Sequence, residues 1–128
     1  MTFRIAKFVF IGGCIGTTLR FIVGLLVMAQ FGEDTRPVAT LTVNIIGCFL
    51  LGLVSIIVWT KNWPVKEFLG AGILGSFTTF SAFSEDMVWL FRYDLSLFSI
   101  YLAASLLFGL VAVHAGKYIG SRRLGRWR

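Results

Sequence analysis

Long stretches without a charged residue constrain this chain more than any other feature. No Asp, Glu, Lys or Arg occurs in residues 37–60, 68–84 or 95–116, and Arg20 is the only one within residues 8–32. A helix needs about 20 apolar residues to cross the roughly 30 Å hydrocarbon core of a bilayer. The pattern therefore predicts an all-α membrane protein in which four helices cross the bilayer.

The overall composition agrees with a lipid environment. The chain is 57% hydrophobic and 14% charged, whereas about 25% of the residues of a soluble domain are charged. Its 128 residues allow one domain. We therefore expect a single four-helix transmembrane domain covering residues 1–128, with helices at about 4–31, 37–60, 65–92 and 95–119.

The basic residues are distributed unevenly between the two expected faces of the membrane. Nine of the twelve lie at the N-terminus, in the second turn or in the tail: Arg4, Lys7, Lys61, Lys66, Lys117, Arg122, Arg123, Arg126 and Arg128. The positive-inside rule then places both termini in the cytoplasm. The basic tail is typical of a segment that contacts anionic lipid, so the net charge of +6 does not indicate nucleic-acid binding.

Several polar residues lie within the apolar stretches and require a reason. Arg20 near a helix centre costs about 2.5–3.5 kcal/mol on insertion scales, so it either snorkels or faces a water-filled vestibule. Thr40 and Asn44 are one helical turn apart, and Tyr101 and Ser105 repeat that spacing. Such residues either bind helices together or form a charge-free lane of hydrogen-bond donors.

The stretch GSFTTFSAF, residues 75–83, combines helix-weakening residues with aromatic rings. Gly75–Ser76 favours a kink, and the threonines Thr78 and Thr79 weaken the helix further, so we expect the third helix to be broken near its middle. Phe80 and Phe83 then share a helix face, where their ring edges carry partial positive charge. The alternative is an ordinary phenylalanine core.

Three motifs in order, GTTLR (16–20), TLTVN (40–44) and GSFTTFSAF (75–83), resemble the Fluc-type fluoride channel family, also called CrcB. The resemblance covers essentially the whole chain. It implies a fluoride-selective passive channel in a bacterial-type inner membrane, built as an antiparallel, dual-topology dimer with two pores along its interface. It also implies a structural sodium ion where the broken third helices meet.

The resemblance implies a role for each matching position. Asn44 donates to fluoride, with Thr40 on the same face. Phe80 and Phe83 present ring edges, and Arg20 lies at the vestibule. Further implied positions are Thr79 and Ser81 in the polar segment of the third helix, Tyr101 and Ser105 at the start of a donor track on the fourth, and Gly75 and Thr78 as backbone carbonyl ligands of sodium.

Two features depart from the family pattern. Gly109 stands where the donor track is often continued by another hydroxyl, one turn after Ser105. The strong Lys and Arg bias is also unexpected in a dual-topology subunit. The partner is therefore either a second copy of this chain or an oppositely oriented paralogue.

Two other classes of membrane protein remain as alternatives. A small multidrug-type transporter needs a carboxylate in its first helix, but residues 1–32 contain no Asp or Glu. A structural or assembly protein would use the same polar residues as helix-to-helix contacts. An enzyme is not expected, because the sequence offers no nucleophile–base pair, carboxylate dyad or metal-ligand cluster.

Overall fold

The computed structural model describes residues 2–58 and 63–123, and every regular element within them is helical. The predicted end of the second helix at residue 60 and the basic residues Lys61, Arg126 and Arg128 lie outside these ranges. In chain order the elements are α1 (Thr2–Phe31), a 3-10 turn (Glu33–Thr35), α2 (Arg36–Val58), α3 (Trp63–Lys66), a π-helix (Glu67–Leu74), α4 (Gly75–Phe77), α5 (Phe80–Tyr93) and α6 (Leu95–Arg123).

Within residues 2–58 and 63–123, three helices are long and apolar enough to cross a membrane. The qualifying spans are Phe3–Phe31, Arg36–Ile56 and Leu95–Arg122. Each provides the length that about 30 Å of hydrocarbon requires. The expectation of an all-α membrane protein is confirmed.

The third apolar segment is built differently, as two limbs separated by a break. Residues 63–77, from the start of α3 to the end of α4, form the first limb, and α5 is the second limb. Between them Thr78 has ψ 155° and Thr79 has φ −143° and ψ 116°, both extended conformations. The expected break near the middle of the third helix is therefore present, although Gly75 itself keeps helical angles of φ −64° and ψ −29°. The break comes at the two threonines.

The first limb contains a π-helix that the sequence patterns did not indicate. It packs against α1 through glycines that let the two backbones approach closely. A Cβ on Gly12 would overlap the carbonyl of Phe68, and one on Gly16 would overlap the carbonyl of Ile73. Close backbone approach of this kind is how helices associate in lipid.

A second close contact joins α2 and α6. A Cβ on Gly52 would overlap the Val113 carbonyl, and one on Gly116 would overlap the Phe49 carbonyl. Farther apart along the pair, Gly109 lies near Cys48 and Gly120 lies near Leu53 and Ile56, so the contacts advance together and α2 and α6 run parallel. The same holds for α1 and the first limb. Both pairs fit a chain in which each successive segment crosses the membrane in the opposite direction.

The buried core of the described residues is small, and its members come from several helices. Its apolar members include Val43 on α2, Phe77 on the first limb and Tyr101 on α6. Much of the apolar surface of α1 and α6 is exposed, as expected for helices that face lipid or another subunit.

Candidate functional site

Asn44 holds the break in the third segment together. Its Nδ2 donates to the Thr79 carbonyl at 3.0 Å, and its Oδ1 accepts from the Thr79 amide at 2.8 Å. An extended residue inside a membrane helix leaves both of its backbone polar groups without helical partners, which is costly in lipid. One carboxamide satisfies both groups. One Nδ2 hydrogen of Asn44 remains after these two bonds.

Thr79 also begins the second limb as its N-cap. The Thr79 hydroxyl accepts from the Ala82 amide at 3.1 Å and lies 3.2 Å from the Ser81 hydroxyl. A threonine at this position is a strong helix-start signal because it satisfies an amide that the helix itself cannot. Thr79 and Ser81 are therefore polar neighbours at the start of the second limb, and their part in an anion pathway stays a prediction.

The break also redirects the amides that would normally bond to two carbonyls. In a continuous helix the Gly75 carbonyl accepts from Thr79, and the Thr78 carbonyl accepts from Ala82. Here the Thr79 amide donates to Asn44, and the Ala82 amide donates to the Thr79 hydroxyl. The carbonyls of Gly75 and Thr78 are the two that the family resemblance implies as sodium ligands.

The aromatic residues of the motif form a short ladder toward α6. The ring centroids of Phe80 and Phe83 lie 5.8 Å apart, and those of Phe83 and Tyr101 lie 5.6 Å apart with an interplanar angle of 25°. Tyr101 is buried, Phe83 is half-buried and Phe80 is 80% exposed. The ladder therefore runs from the interior of the subunit to its surface.

The predicted hydroxyl donors are already engaged within the chain. Thr40 donates to the Arg36 carbonyl at 3.2 Å, and Ser105 donates to the Tyr101 carbonyl at 2.7 Å. These are bonds of each residue to its own helix, which hydroxyls make readily. An arriving acceptor must replace an existing bond to use them. At Gly109 the nearest side chain to an added Cβ is the sulfur of Cys48, at 3.7 Å.

Arg20 lines a cavity of about 140 Å³ beside the break. The other polar residues of the lining are Arg36, Thr40 and Thr79. The cavity is well above the roughly 15 Å³ that one water molecule requires. The remaining lining residues, which include Met28, Ala39 and Val43, are apolar, so the cavity is not by itself a water-filled space, and a vestibule role for Arg20 stays a prediction.

The charged residues beside this site were not among the predicted ones. Asp86 is only 2% exposed, and its carboxylate accepts from the Tyr101 hydroxyl at 3.3 Å. Arg36 pairs with Asp86 through Nε at 3.4 Å and also with the neighbouring Glu85. The signal in the sequence was the pair Glu85–Asp86 at the end of an apolar stretch, but their partner Arg36 is too distant in sequence for spacing to reveal it.

Comparison with known proteins shows the family to which the chain belongs. The model of the CrcB-like protein family, Camphor Resistance (CrcB), matches residues 7–117. The chain belongs to the CrcB family. The matched residues include all three motifs. As a family member with three membrane-spanning helices and a broken segment, the chain is a multi-pass membrane protein.

Curated relatives carry a functional name. This chain is 43% identical over 113 residues to the fluoride-specific ion channel FluC of Agrobacterium fabrum, covering 85% of this chain and 90% of the relative. It is 42% identical over 116 residues to the protein of the same name from Idiomarina loihiensis, covering 87% and 88%. With the Vibrio cholerae protein of that name it shares 40% identity over 95 residues, covering 72% and 75%.

Proposed function

We propose that this chain forms a fluoride-selective passive channel that carries fluoride out of the cytoplasm across a bacterial inner membrane. Family membership supports this function, together with one structural observation: polar side chains from α2 and the start of α5 meet at the break in the third segment, where Asn44 bonds to Thr79 and Thr79 lies beside Ser81. No enzymatic activity is proposed, because a channel needs no reacting group.

The physical argument concerns how fluoride exchanges its water for protein. Fluoride is small and strongly hydrated, so a pore must replace its hydration shell with hydrogen-bond donors. The donors here are neutral hydroxyls and a carboxamide, which bind an anion without trapping it. The weakly positive edges of Phe80 and Phe83 add further contacts that release the ion again.

We place the pore at the interface of an antiparallel dimer. Phe80 supports this arrangement, because a pore residue that is 80% exposed in one subunit needs a second surface to enclose it. The partner is a second copy of this chain or an oppositely oriented paralogue. The exposed apolar surfaces of α1 and α6 would contact membrane lipid or the second subunit.

We also propose a structural sodium ion at the break, held by the carbonyls of Gly75 and Thr78. The donor set fits, because oxygen ligands suit a hard cation. The amides that would otherwise bond to these two carbonyls donate to Asn44 and Thr79 instead. When bound, the ion would supply positive charge that joins the broken third segments of two subunits.

The function is tested by reconstituting only this protein into liposomes loaded with fluoride or chloride. We expect rapid fluoride efflux once a potassium ionophore balances the charge that leaves the liposomes. Chloride efflux under the same conditions should be far slower. Equal efflux of both halides, or none above empty liposomes, would reject the proposal.

The assembly is tested on the same preparation. Cysteine labels at the two ends of the chain should react from both sides of sealed vesicles if the homodimer is antiparallel. Labelling from one side alone, together with full fluoride efflux, would exclude the antiparallel homodimer.

A further inference from the structure

The cluster of Arg36, Glu85, Asp86 and Tyr101 joins α2, α5 and α6 at the site, and no donor role accounts for its acidic members. Asp86 is among the most buried polar residues of the described chain. A buried carboxylate is costly unless it is paired and hydrogen-bonded. Arg36 and Tyr101 supply those partners. An acidic group beside an anion pathway therefore needs a reason.

The Tyr101 hydroxyl can serve only one acceptor at a time. A phenol has a single proton to donate, and here that proton is directed at the carboxylate of Asp86. An anion that binds at Tyr101 must first displace Asp86. The donor that begins the track on α6 is thus occupied by a resident acceptor.

The geometry of this contact suits exchange. The Tyr101 hydroxyl and Asp86 Oδ2 are 3.3 Å apart, longer than the roughly 2.7–2.8 Å that is usual for such bonds. Arg36 binds the other carboxylate oxygen, Oδ1, at 3.4 Å and offsets its charge. The hydrogen bond from the Tyr101 hydroxyl to Asp86 is therefore longer than the optimum, and a strong acceptor can replace Asp86 in it.

We propose that Asp86, positioned by Arg36, is a specificity-determining residue. It competes with each anion for the Tyr101 hydroxyl proton, so only a strong hydrogen-bond acceptor can bind there. Fluoride is the strongest acceptor among the halides and can displace a carboxylate from a phenol. Chloride is a much weaker acceptor and cannot. The inference rests on the proposed fluoride channel and adds the residue that would discriminate between halides.

The decisive variant is Asp86→Asn in liposomes, with fluoride and chloride efflux measured on the same preparation. The amide oxygen is a weaker acceptor, since hydrogen bonds to charged groups are about twice as strong as neutral ones. We expect the chloride-to-fluoride flux ratio to rise about fivefold, the effect of weakening one such bond. An unchanged ratio would overturn the proposal.

The matched control is Glu85→Gln. It removes the same charge from the adjacent residue and from the same partner, Arg36. Glu85 is exposed, and the described contacts connect Tyr101 to Asp86 and not to Glu85. The ratio should rise much less than in Asp86→Asn, because Glu85 acts on the Tyr101 contact only through their shared partner Arg36. A rise equal to that of Asp86→Asn would mean that local charge alone is responsible and would overturn the proposal.

Coupling to the tyrosine is tested with Tyr101→Phe. On this background, Asp86→Asn should no longer change the flux ratio, because the proton for which the two acceptors compete is gone. An undiminished effect of Asp86→Asn would overturn the proposal.

A second route remains if Asp86→Asn does not assemble. Arg36→Gln leaves the carboxylate less neutralised and hence a stronger competitor for the Tyr101 proton. It should lower fluoride efflux without raising the chloride-to-fluoride ratio, and wild-type fluoride efflux in this variant would overturn the proposal. Failure of the proposed channel function can be distinguished from failure of this inference. If the channel function is wrong, the unaltered protein will show no fluoride efflux.

Discussion

The carboxamide of Asn44 bonds to both backbone groups of Thr79, donating at 3.0 Å and accepting at 2.8 Å. A single side chain on α2 thereby satisfies the residue at which the third segment stops being helical. Asn44 was expected to donate to fluoride, and its remaining Nδ2 hydrogen is compatible with that role. The break and the proposed anion site consequently depend on the same side chain.

Asn44→Asp should abolish fluoride efflux and lower the thermal unfolding midpoint in detergent. The change removes the Nδ2 donor and sets a carboxylate oxygen against the Thr79 carbonyl, leaving a polar group unsatisfied at a cost of about 1–3 kcal/mol. Thr42→Ala is the control on the same helix, because the Thr42 hydroxyl bonds only to the Val38 carbonyl at 2.8 Å. Wild-type efflux in Asn44→Asp would show that Asn44 has no part in conduction.

Thr79→Val should destabilise the second limb, whereas Thr79→Ser should not. Valine cannot accept from the Ala82 amide, and loss of a threonine cap costs about 0.5–2 kcal/mol. Unfolding in detergent, followed by circular dichroism, measures the difference. Thr18→Val provides the comparison, since Thr18 is exposed and its hydroxyl bonds to its own helix at the Cys14 carbonyl. Equal stability of the two Thr79 variants would contradict the capping role.

Gly47→Ala should disturb the break from the α2 side. An added Cβ would overlap the methyl group of Thr78 and press on the ring of Phe77. Overpacking of this kind costs about 1–3 kcal/mol, so we expect a lower unfolding midpoint and reduced fluoride efflux. At Gly24 a Cβ would meet nothing within 4 Å, so Gly24→Ala is the neutral control. If both variants behave alike, the contact between Gly47 and Thr78 is not tight in the protein.

Phe80→Ile should greatly reduce fluoride efflux with little loss of subunit stability. The ring is 80% exposed, so it adds little packing within one subunit, and isoleucine keeps apolar bulk while removing the positive ring edge. Phe10→Ile, at a ring 73% exposed on α1, is the matched control and should conduct normally. Normal efflux in Phe80→Ile combined with a weaker dimer would identify Phe80 as a packing residue.

Replacing sodium by a large organic cation should weaken the dimer or halt efflux without any change of side chain. The proposed carbonyl ligands, Gly75 and Thr78, offer oxygens to a small hard cation and cannot enclose a bulky one. Size-exclusion chromatography at matched ionic strength measures the dimer, and sodium should restore it. If neither assembly nor efflux depends on the identity of the cation, the proposed sodium site is wrong.

The uncharged stretches were sufficient to predict an all-α membrane protein. In lipid each backbone polar group must be satisfied within its own segment, so length and composition alone select helices. The weakness of the third segment was also visible locally, because Thr78 and Thr79 are β-branched residues next to glycine and serine. Both features depend only on residues that are adjacent in the sequence, so they can be predicted without knowing how the helices pack.

Only the tertiary structure placed the break at the threonines, and Gly75–Ser76 remained helical. The deciding contact comes from Asn44, which stands far from Thr79 in the chain and reaches it because α2 packs beside the first limb. Arg36 and Asp86 are separated by an even longer stretch of sequence, so spacing could not reveal that the acidic residue is buried against Tyr101. Hydrogen bonds and ion pairs between segments depend on how helices pack, and that packing is decided by many weak contacts acting together.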